Sequence, residues 1–202
     1  MTTIPAPPPA EPGMRIGLFG GSFNPPHEGH RLVALECLKR LALDRVWLLV
    51  SPGNPLKDHR ELAPLDIRIA ETVKLMDDPR LDVTGFEAAR GFVYSFETVA
   101  FLTGAHPGVK FVWIMGADSL QSFDRWERWQ DIANAVPMAI YDRPGAMFTA
   151  TGSPAAVALD AARLPETAAT SLADAAAPAW VYLHGVVSNA SSTAIRAARR
   201  SS

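Results

Sequence analysis

Apolar residues along this chain fall into short unbroken blocks, separated by stretches where they recur every three or four positions. Residues 15–19, 45–50, 109–115, 138–141 and 180–183 are such blocks, and 81–84 is a short strand candidate. Continuous apolar runs of this length, closed by glycine, proline or polar residues, predict strands buried on both faces. Between the first two blocks, Leu32, Leu35, Cys37, Leu38 and Leu41 predict one apolar stripe on a helix beginning near Glu28. Ile69, Val73 and Met76 predict a second helix over 65–76, with Pro64 near its start. Ser95 is suited to be the N-cap of a helix carrying Val99 and Leu102, ended by Gly104 and Pro107. A last helix is expected from about Ser191, with Arg199 and Arg200 matching the polarity of its C-terminus. Residues 145–179 are rich in alanine and poor in large apolar groups, and they specify no element clearly.

Strands that alternate with helices predict an α/β fold: a single Rossmann-like, doubly wound parallel sheet with helices on both faces. The first strand–helix–strand unit requires a right-handed crossover. Residues 1–13, rich in proline and alanine and lacking the basic and then apolar regions of a secretory signal, are expected to be a disordered leader. One domain would occupy 14–202.

Composition narrows the possible functions. The 202 residues carry 19 Lys and Arg against 21 Asp and Glu, a formal net charge of −2. No global positive field exists, so a nucleic-acid polymer or an anionic membrane surface is disfavoured as a partner. Any anion must be held by local geometry. The single cysteine, Cys37, excludes an intramolecular disulfide and a thiolate metal cage, and it suits a reducing, cytoplasmic compartment. No apolar run approaches the ~20 residues of a membrane span. Monomer and homo-oligomer both remain open.

Ligands of parallel sheets sit beyond the carboxyl ends of the strands, so the loops that follow strands carry the chemistry. The first strand runs into Gly20-Gly21-Ser22-Phe23-Asn24-Pro25-Pro26-His27-Glu28-Gly29-His30. Glycines after a strand let a ligand approach the backbone, and the next helix offers unpaired N–H groups to an anion. This outlines a phosphate site, yet it matches neither G-x-G-x-x-G nor G-x-x-x-x-G-K-[ST]. His27 and His30, three residues apart, can present both rings on one side of the first helical turn. Ser191, Ser192 and Thr193 open the last helix in a similar way, and Arg196 sits where the helix dipole disfavours a cation unless an anion compensates it. Lys57, after the second strand, is a third possible phosphate contact. His59, His106 and His184 are read as structural or solvated, Cys37 as a small core residue, and Trp47, Trp113 and Trp180 as strand core. Phe92 and Tyr94 could line a pocket or simply pack.

The run G-G-S-F-N-P-P-H-E-G-H, followed far downstream by S-S-T-A-I-R, resembles the nucleotidyltransferase superfamily with its H-x-G-H motif. Gly116-Ala117-Asp118-Ser119-Leu120, with Phe123 and Trp126, is similar to the segment G-x-D-S/N-L-x-x-F-x-x-W of bacterial nicotinate-nucleotide adenylyltransferases. The resemblance implies that Gly20, Gly21, Ser22, Phe23 and Asn24 hold nucleotide through their backbone. It places His27 and His30 on the triphosphate and transition state, Asp118 on a ribose hydroxyl, and Ser192, Thr193 and Arg196 on the ATP phosphates. On the acceptor side it implies Ser22, Asn54, Ser95, Thr98 and Trp126, with Trp126 stacked on the pyridine ring. Ser95 stands where the family has the first threonine of T-x-x-T. The chain departs from the family at Leu56, which replaces the histidine that usually precedes the basic residue, here Lys57, and at Ala190, which replaces a larger aliphatic residue.

The implied substrates are ATP and nicotinate mononucleotide, with Mg²⁺ held mainly by the ATP phosphates and no metal bound directly by protein side chains. In such a transfer the attacking phosphate is already ionised. Alignment of two anions and neutralisation of the leaving group are needed, and a nucleophilic side chain is not. His27, His30, Lys57 and Arg196 are the groups suited to that task, His30 foremost. An acceptor of the pantetheine-phosphate or glycerol-phosphate type, or a nucleotide sensor without turnover, would use the same nucleotide-binding residues. A fragment of a class I aminoacyl-tRNA synthetase would share the histidine motif, but the chain is short for one and carries no K-M-S-K-S-like loop.

Overall fold

The structure is a computed structural model that describes residues 6–53, 62–142, 147–185 and 191–200. Six strands, β1 (Arg15–Gly21), β2 (Arg45–Val50), β3 (Leu81–Thr84), β4 (Lys110–Gly116), β5 (Met138–Tyr141) and β6 (Trp180–Leu183), form one sheet in the order β3-β2-β1-β4-β5-β6. Every pairing is parallel: Phe19 lies opposite Leu48 on one side and Ile114 on the other, and Gly116 lies opposite Tyr141. This is the doubly wound order, with its reversal between β1 and β4.

Alternation along each strand supplies two cores. One face carries Phe19, Leu48, Val112, Ile114 and Val181 beneath α1 (Glu28–Arg40), α2 (Leu65–Leu75) and a 3₁₀ stretch, Glu166–Asp174. The other carries Leu18, Trp47, Trp113, Ile140 and Trp180. It is covered by α3 (Phe86–Arg90), α4 (Ser95–Ala105), α5 (Ala117–Leu120), α6 (Trp129–Ala135) and α8 (Pro154–Ala158), with α7 (Met147–Thr151) between α6 and α8 in the chain. α9 (Ser192–Arg200) closes the described chain.

Two stripes differ from expectation. In α1 the buried positions are Val33, Ala34, Cys37 and Leu38, continued by Leu41, while Leu32 and Leu35 are only partly buried. In α2 Val73 is 52% exposed, and Arg68, Ile69 and Thr72 face inward. Cys37, Leu38, Leu41, Ile69 and Met76 lie inward as the apolar spacing predicts, and the departures are local, where alanine and a charged residue pack in place of larger apolar groups. Residues 145–179, which specified no element clearly, contribute helical turns whose alanines pack closely. Ala150, Ala155, Ala169 and Ala173 are all buried. Where disorder was expected over 1–13, residues 6–13 lie against the body: Pro8 is buried, Ala10 packs on the second core, and Gly13 N–H donates to the Gly108 carbonyl at 2.8 Å.

Arg68 is the unexpected core residue, at 1% exposure. Its guanidinium donates to the carbonyls of Ser22 (2.7 Å), Ser51 (2.8 Å) and Ala63 (2.8 Å), with Pro52 at 3.5 Å. The planar fork reaches carbonyls from the loops after β1 and β2 together, which a lysine ammonium could not do. Burial lowers its pKa. Loss of this side chain strands several buried acceptors, each worth about 1–3 kcal/mol. Arg68→Ala is therefore expected to lower stability by on the order of 3 kcal/mol, and Arg68→Lys is expected to recover less than half of it. Urea unfolding checks this, and unchanged midpoints would refute it.

Cys37 is fully buried, and burial pushes its thiol up to about 12. A thiol reagent at pH 8 should leave the native protein unlabelled and label one thiol per chain in denaturant.

Candidate active site

The loops after β1, β2 and β4 meet at the sheet's reversal point. They enclose one side of a cavity of about 290 Å³, bordered there by Gly20, Gly21, Ser22, Ser51, Gly53 and Ser119. Gly20 is needed for the close approach: a Cβ at this position would meet the Trp113 ring at 3.2 Å. Trp113, expected to be plain strand core, is the floor of the cavity, and Trp126 stands edge-on to it with centroids 6.4 Å apart. Alternation places Trp113 on the face covered by α3 to α6, and Gly20, two residues beyond its partner Leu18 in β1, leaves the ring's rim bordering the crevice.

Phe23 makes the turn from β1 into α1 with φ of 44°, in the left-handed region that a bulky side chain rarely adopts. Burial of its ring at 1% exposure, 5.8 Å from Phe19 and 4.9 Å from His30, holds it there. His27 is the N-cap of α1 and is itself buried. The imidazoles of His27 and His30 lie 3.8 Å apart, centre to centre, on one side of the turn. The His27 backbone N–H donates to His30 Nδ1 at 3.2 Å. In neutral His30 the ring proton therefore sits on Nε2, which makes that nitrogen the donor.

The far end of the chain docks onto this turn. Ser192 Oγ donates to the Pro25 carbonyl at 2.9 Å, and Arg196 donates to the Asn24 carbonyl at 2.6 Å and to the Thr193 hydroxyl at 3.4 Å. Asn24 Oδ1 accepts from the Ala63 N–H at 3.1 Å, so Asn24 joins α9 to the segment before α2. The starts of α1 and α9, distant in sequence, are adjacent in space.

Two further segments wall the cavity. Phe92, Val93, Tyr94 and Ser95 form one; Arg125, Trp126 and Glu127 form the other. Phe92 and Tyr94, for which both readings were open, border the cavity, and Phe92 also packs on Phe101 with centroids 5.6 Å apart. Ser95 is not the N-cap of α4. Tyr94 holds that position, and Glu97 reaches back to accept from the N–H groups of Val93 and Tyr94, each at 2.9 Å. Thr98 is fully buried and donates to Glu87 at 2.6 Å, so its hydroxyl is directed at a carboxyl that itself borders the cavity. Burial raises the pKa of Glu87, and the Thr98 hydrogen bond opposes the rise.

Of the expected site residues, Gly20, Gly21, Ser22, Ser95 and Trp126 border the cavity, and His27 and His30 stand together on the adjoining turn. Asn24, Ser192, Thr193 and Arg196 form the junction of that turn with α9. Asp118 lies exposed in α5, one residue before the cavity-lining Ser119. Asn54 and Lys57 lie outside the described residues. Arg68, Glu87 and Glu97 were not anticipated. A cation spaced within the apolar stripe of α2 could have revealed Arg68, whereas nothing in the sequence around Glu87 sets it apart.

The cytidylyltransferase-like family model matches residues 18–198. A probable nicotinate-nucleotide adenylyltransferase of Methylorubrum extorquens is 54% identical over 183 residues, 91% of this chain and 99% of that protein. One of Mesorhizobium japonicum is 52% identical over 189 residues, 94% of this chain and 97% of that protein. Among solved structures, a Plasmodium falciparum nicotinic acid mononucleotide adenylyltransferase complexed with NaAD superposes with a TM-score of 0.68. The match covers 91% of this chain and 83% of that one at 13% identity, a likeness of fold. The chain belongs to the cytidylyltransferase-like family and, within it, to the nicotinate-nucleotide adenylyltransferases.

Proposed function

We propose that this crevice transfers the adenylyl group of ATP to nicotinate mononucleotide, giving nicotinate adenine dinucleotide and pyrophosphate in NAD biosynthesis. One observation carries the reading: the paired imidazoles at the N-terminus of α1 adjoin an aromatic-walled cavity at the sheet's reversal point. Phosphates and a flat ring would thus be held within reach of each other. A phosphate oxygen of the mononucleotide attacks the α-phosphorus of ATP as the bond to the bridging oxygen of pyrophosphate breaks. The nucleophile arrives ionised, so the protein's task is alignment and charge neutralisation.

His27 and His30 face the phosphates, with His30 donating from Nε2 to an oxygen on which charge grows. The N–H groups opening α1 and α9 add partial positive charge, and Arg196 ties the two together. Gly20 to Asn24 hold the nucleotides by backbone, Asp118 takes a ribose hydroxyl, and Ser192, Thr193 and Arg196 take ATP phosphates. Ser22, Ser95 and Trp126 surround the acceptor, Thr98 supports them through Glu87, and Asn54 and Lys57 complete the set. Among the described residues no cluster of His, Cys, Asp or Glu is arranged to hold an ion. The donors at the strand ends are N–H groups and imidazoles, which suit a Mg²⁺ ion that enters on the triphosphate with its own oxygen ligands. Bound there, Mg²⁺ would screen the phosphate charges from each other.

No helix among the described residues is long and apolar enough to cross a membrane. The lone cysteine, buried at Cys37, fits a cytoplasmic setting.

Purified protein with ATP and Mg²⁺ should release pyrophosphate with nicotinate mononucleotide and not with phosphopantetheine or glycerol phosphate. ATP binding without pyrophosphate from any acceptor would leave only a sensor. His30→Ala should lower kcat at saturating ATP by about 10²- to 10³-fold, the range for loss of one donor to transition-state charge. A change confined to the KM for ATP would refute the role given to His30.

A further inference from the structure

An exposed arginine with a strained backbone links the two aromatic walls of the cavity. Arg128 stands two residues after Trp126 as the N-cap of α6, with φ of 50° and ψ of 40°. For a residue other than glycine, asparagine or aspartate, this left-handed conformation costs about 1–2 kcal/mol. Its guanidinium is held by Asp131 and lies over the ring of Phe96, 4.6 Å from the centroid. Phe96 stacks on Tyr94, with ring centroids 6.1 Å apart and planes 19° from parallel, and Tyr94 borders the cavity. A continuous series of contacts therefore runs from Tyr94 on one wall, through Phe96 and Arg128, to the segment that carries Trp126 on the other.

Stability does not account for this arrangement. The Arg128 side chain is 59% exposed, and a cation over an aromatic ring in water contributes about 0.5–1 kcal/mol, no more than the backbone strain costs. Glycine at this position would relieve the strain and lose only the side chain. What the side chain adds is a link at the N-terminal ends of α4 and α6, two helices that also pack directly on each other, and so a second constraint on how the two walls stand. A pocket ordered before its ligand arrives does not lose that ordering entropy on binding.

We infer that Arg128 is a positioning residue of the acceptor subsite: a guanidinium clasp, fixed by Asp131 and seated on Phe96, that holds the Tyr94 and Trp126 walls ready for the pyridine ring. This rests on the reading that the acceptor's ring occupies the cavity. The clasp bears on the acceptor more than on ATP, because Phe96 belongs to the core on one face of the sheet while α1, which His27 caps and which carries His30, covers the other.

Steady-state kinetics with each substrate varied separately tests it, using R128A, R128G, R128K and F96L. R128A and R128G should raise the KM for nicotinate mononucleotide about three- to fivefold, the equivalent of the exposed cation–ring contact, with the KM for ATP held within about twofold. R128K, which keeps a cation over the ring, should recover part of the loss, and R128A combined with F96L should be no worse than either alone. Glycine matching the wild type, or equal rises in both KM values, would overturn the clasp. A wild-type protein that shows no turnover with this acceptor would overturn the adenylyltransferase reading itself, whereas wild-type turnover with unaltered variants removes only the role of Arg128.

Discussion

The buried guanidinium of Arg68 fixes where the first two crossover loops lie. A parallel sheet delivers its strands to one edge, but it leaves the loops beyond that edge with carbonyl oxygens that no ladder satisfies. Arg68 collects those of Ser22 and Ser51, one from each loop, and anchors them to Ala63 before its own helix. The same segment donates to the Asn24 side chain, and the Asn24 carbonyl accepts from Arg196 of the last helix. One cation thus sets the position of the glycine turn, and through it the docking of a helix more than a hundred residues away. Its hydrogen bonds among the described residues all go to carbonyls, so its charge is not cancelled by a carboxylate. It lends positive potential to the crevice in which two anions have to meet.

A net charge of −2 therefore misleads about local chemistry. The crevice gathers oriented N–H groups at two helix starts, two imidazoles, Arg196 and, beneath them, Arg68. Each works at short range in a partly desolvated setting, where an electrostatic contact exceeds its value in bulk water. Charge placed at helix ends and inside the fold would suit a compact phosphate cluster, as the proposed function needs, in a way that a basic exterior would not.

What was legible in the sequence follows how local each determinant is. The six strands could be read because buried parallel strands are continuous apolar blocks. The histidine turn could be read because both imidazoles share one helical turn with the glycines before it. The inward faces of α1 and α2 depart from the apolar spacing at Leu32 and Val73, where packing of Ala34 and burial of Arg68 depend on distant partners. Glu97 displaced Ser95 as the group that caps α4, because a glutamate at the third helical position can reach back to two N–H groups. Thr98 pointed to the acceptor pocket, but its hydroxyl meets Glu87, and only the fold brings that pair together. Trp113 read as core because its strand is core. Its role as floor depends on Gly20 in the neighbouring strand.

The left-handed residues flanking the crevice, Phe23 and Arg128, resolve their strain in opposite ways. Phe23 is held by burial against Phe19 and His30, and its conformation is bound up with the core on the α1 face. Arg128 is held by an exposed contact whose strength only matches the strain it opposes. Backbone strain sustained by a core is effectively permanent, whereas strain sustained by a surface contact is in balance and can relax. On the proposed function, the turn that carries His27 and His30 is thereby built as a rigid part, as in-line transfer between two repelling anions would require. The walls carrying Tyr94 and Trp126 are ordered but adjustable, as the proposed acceptor subsite would need if a nucleotide is to enter between them and a dinucleotide larger than either substrate is to leave.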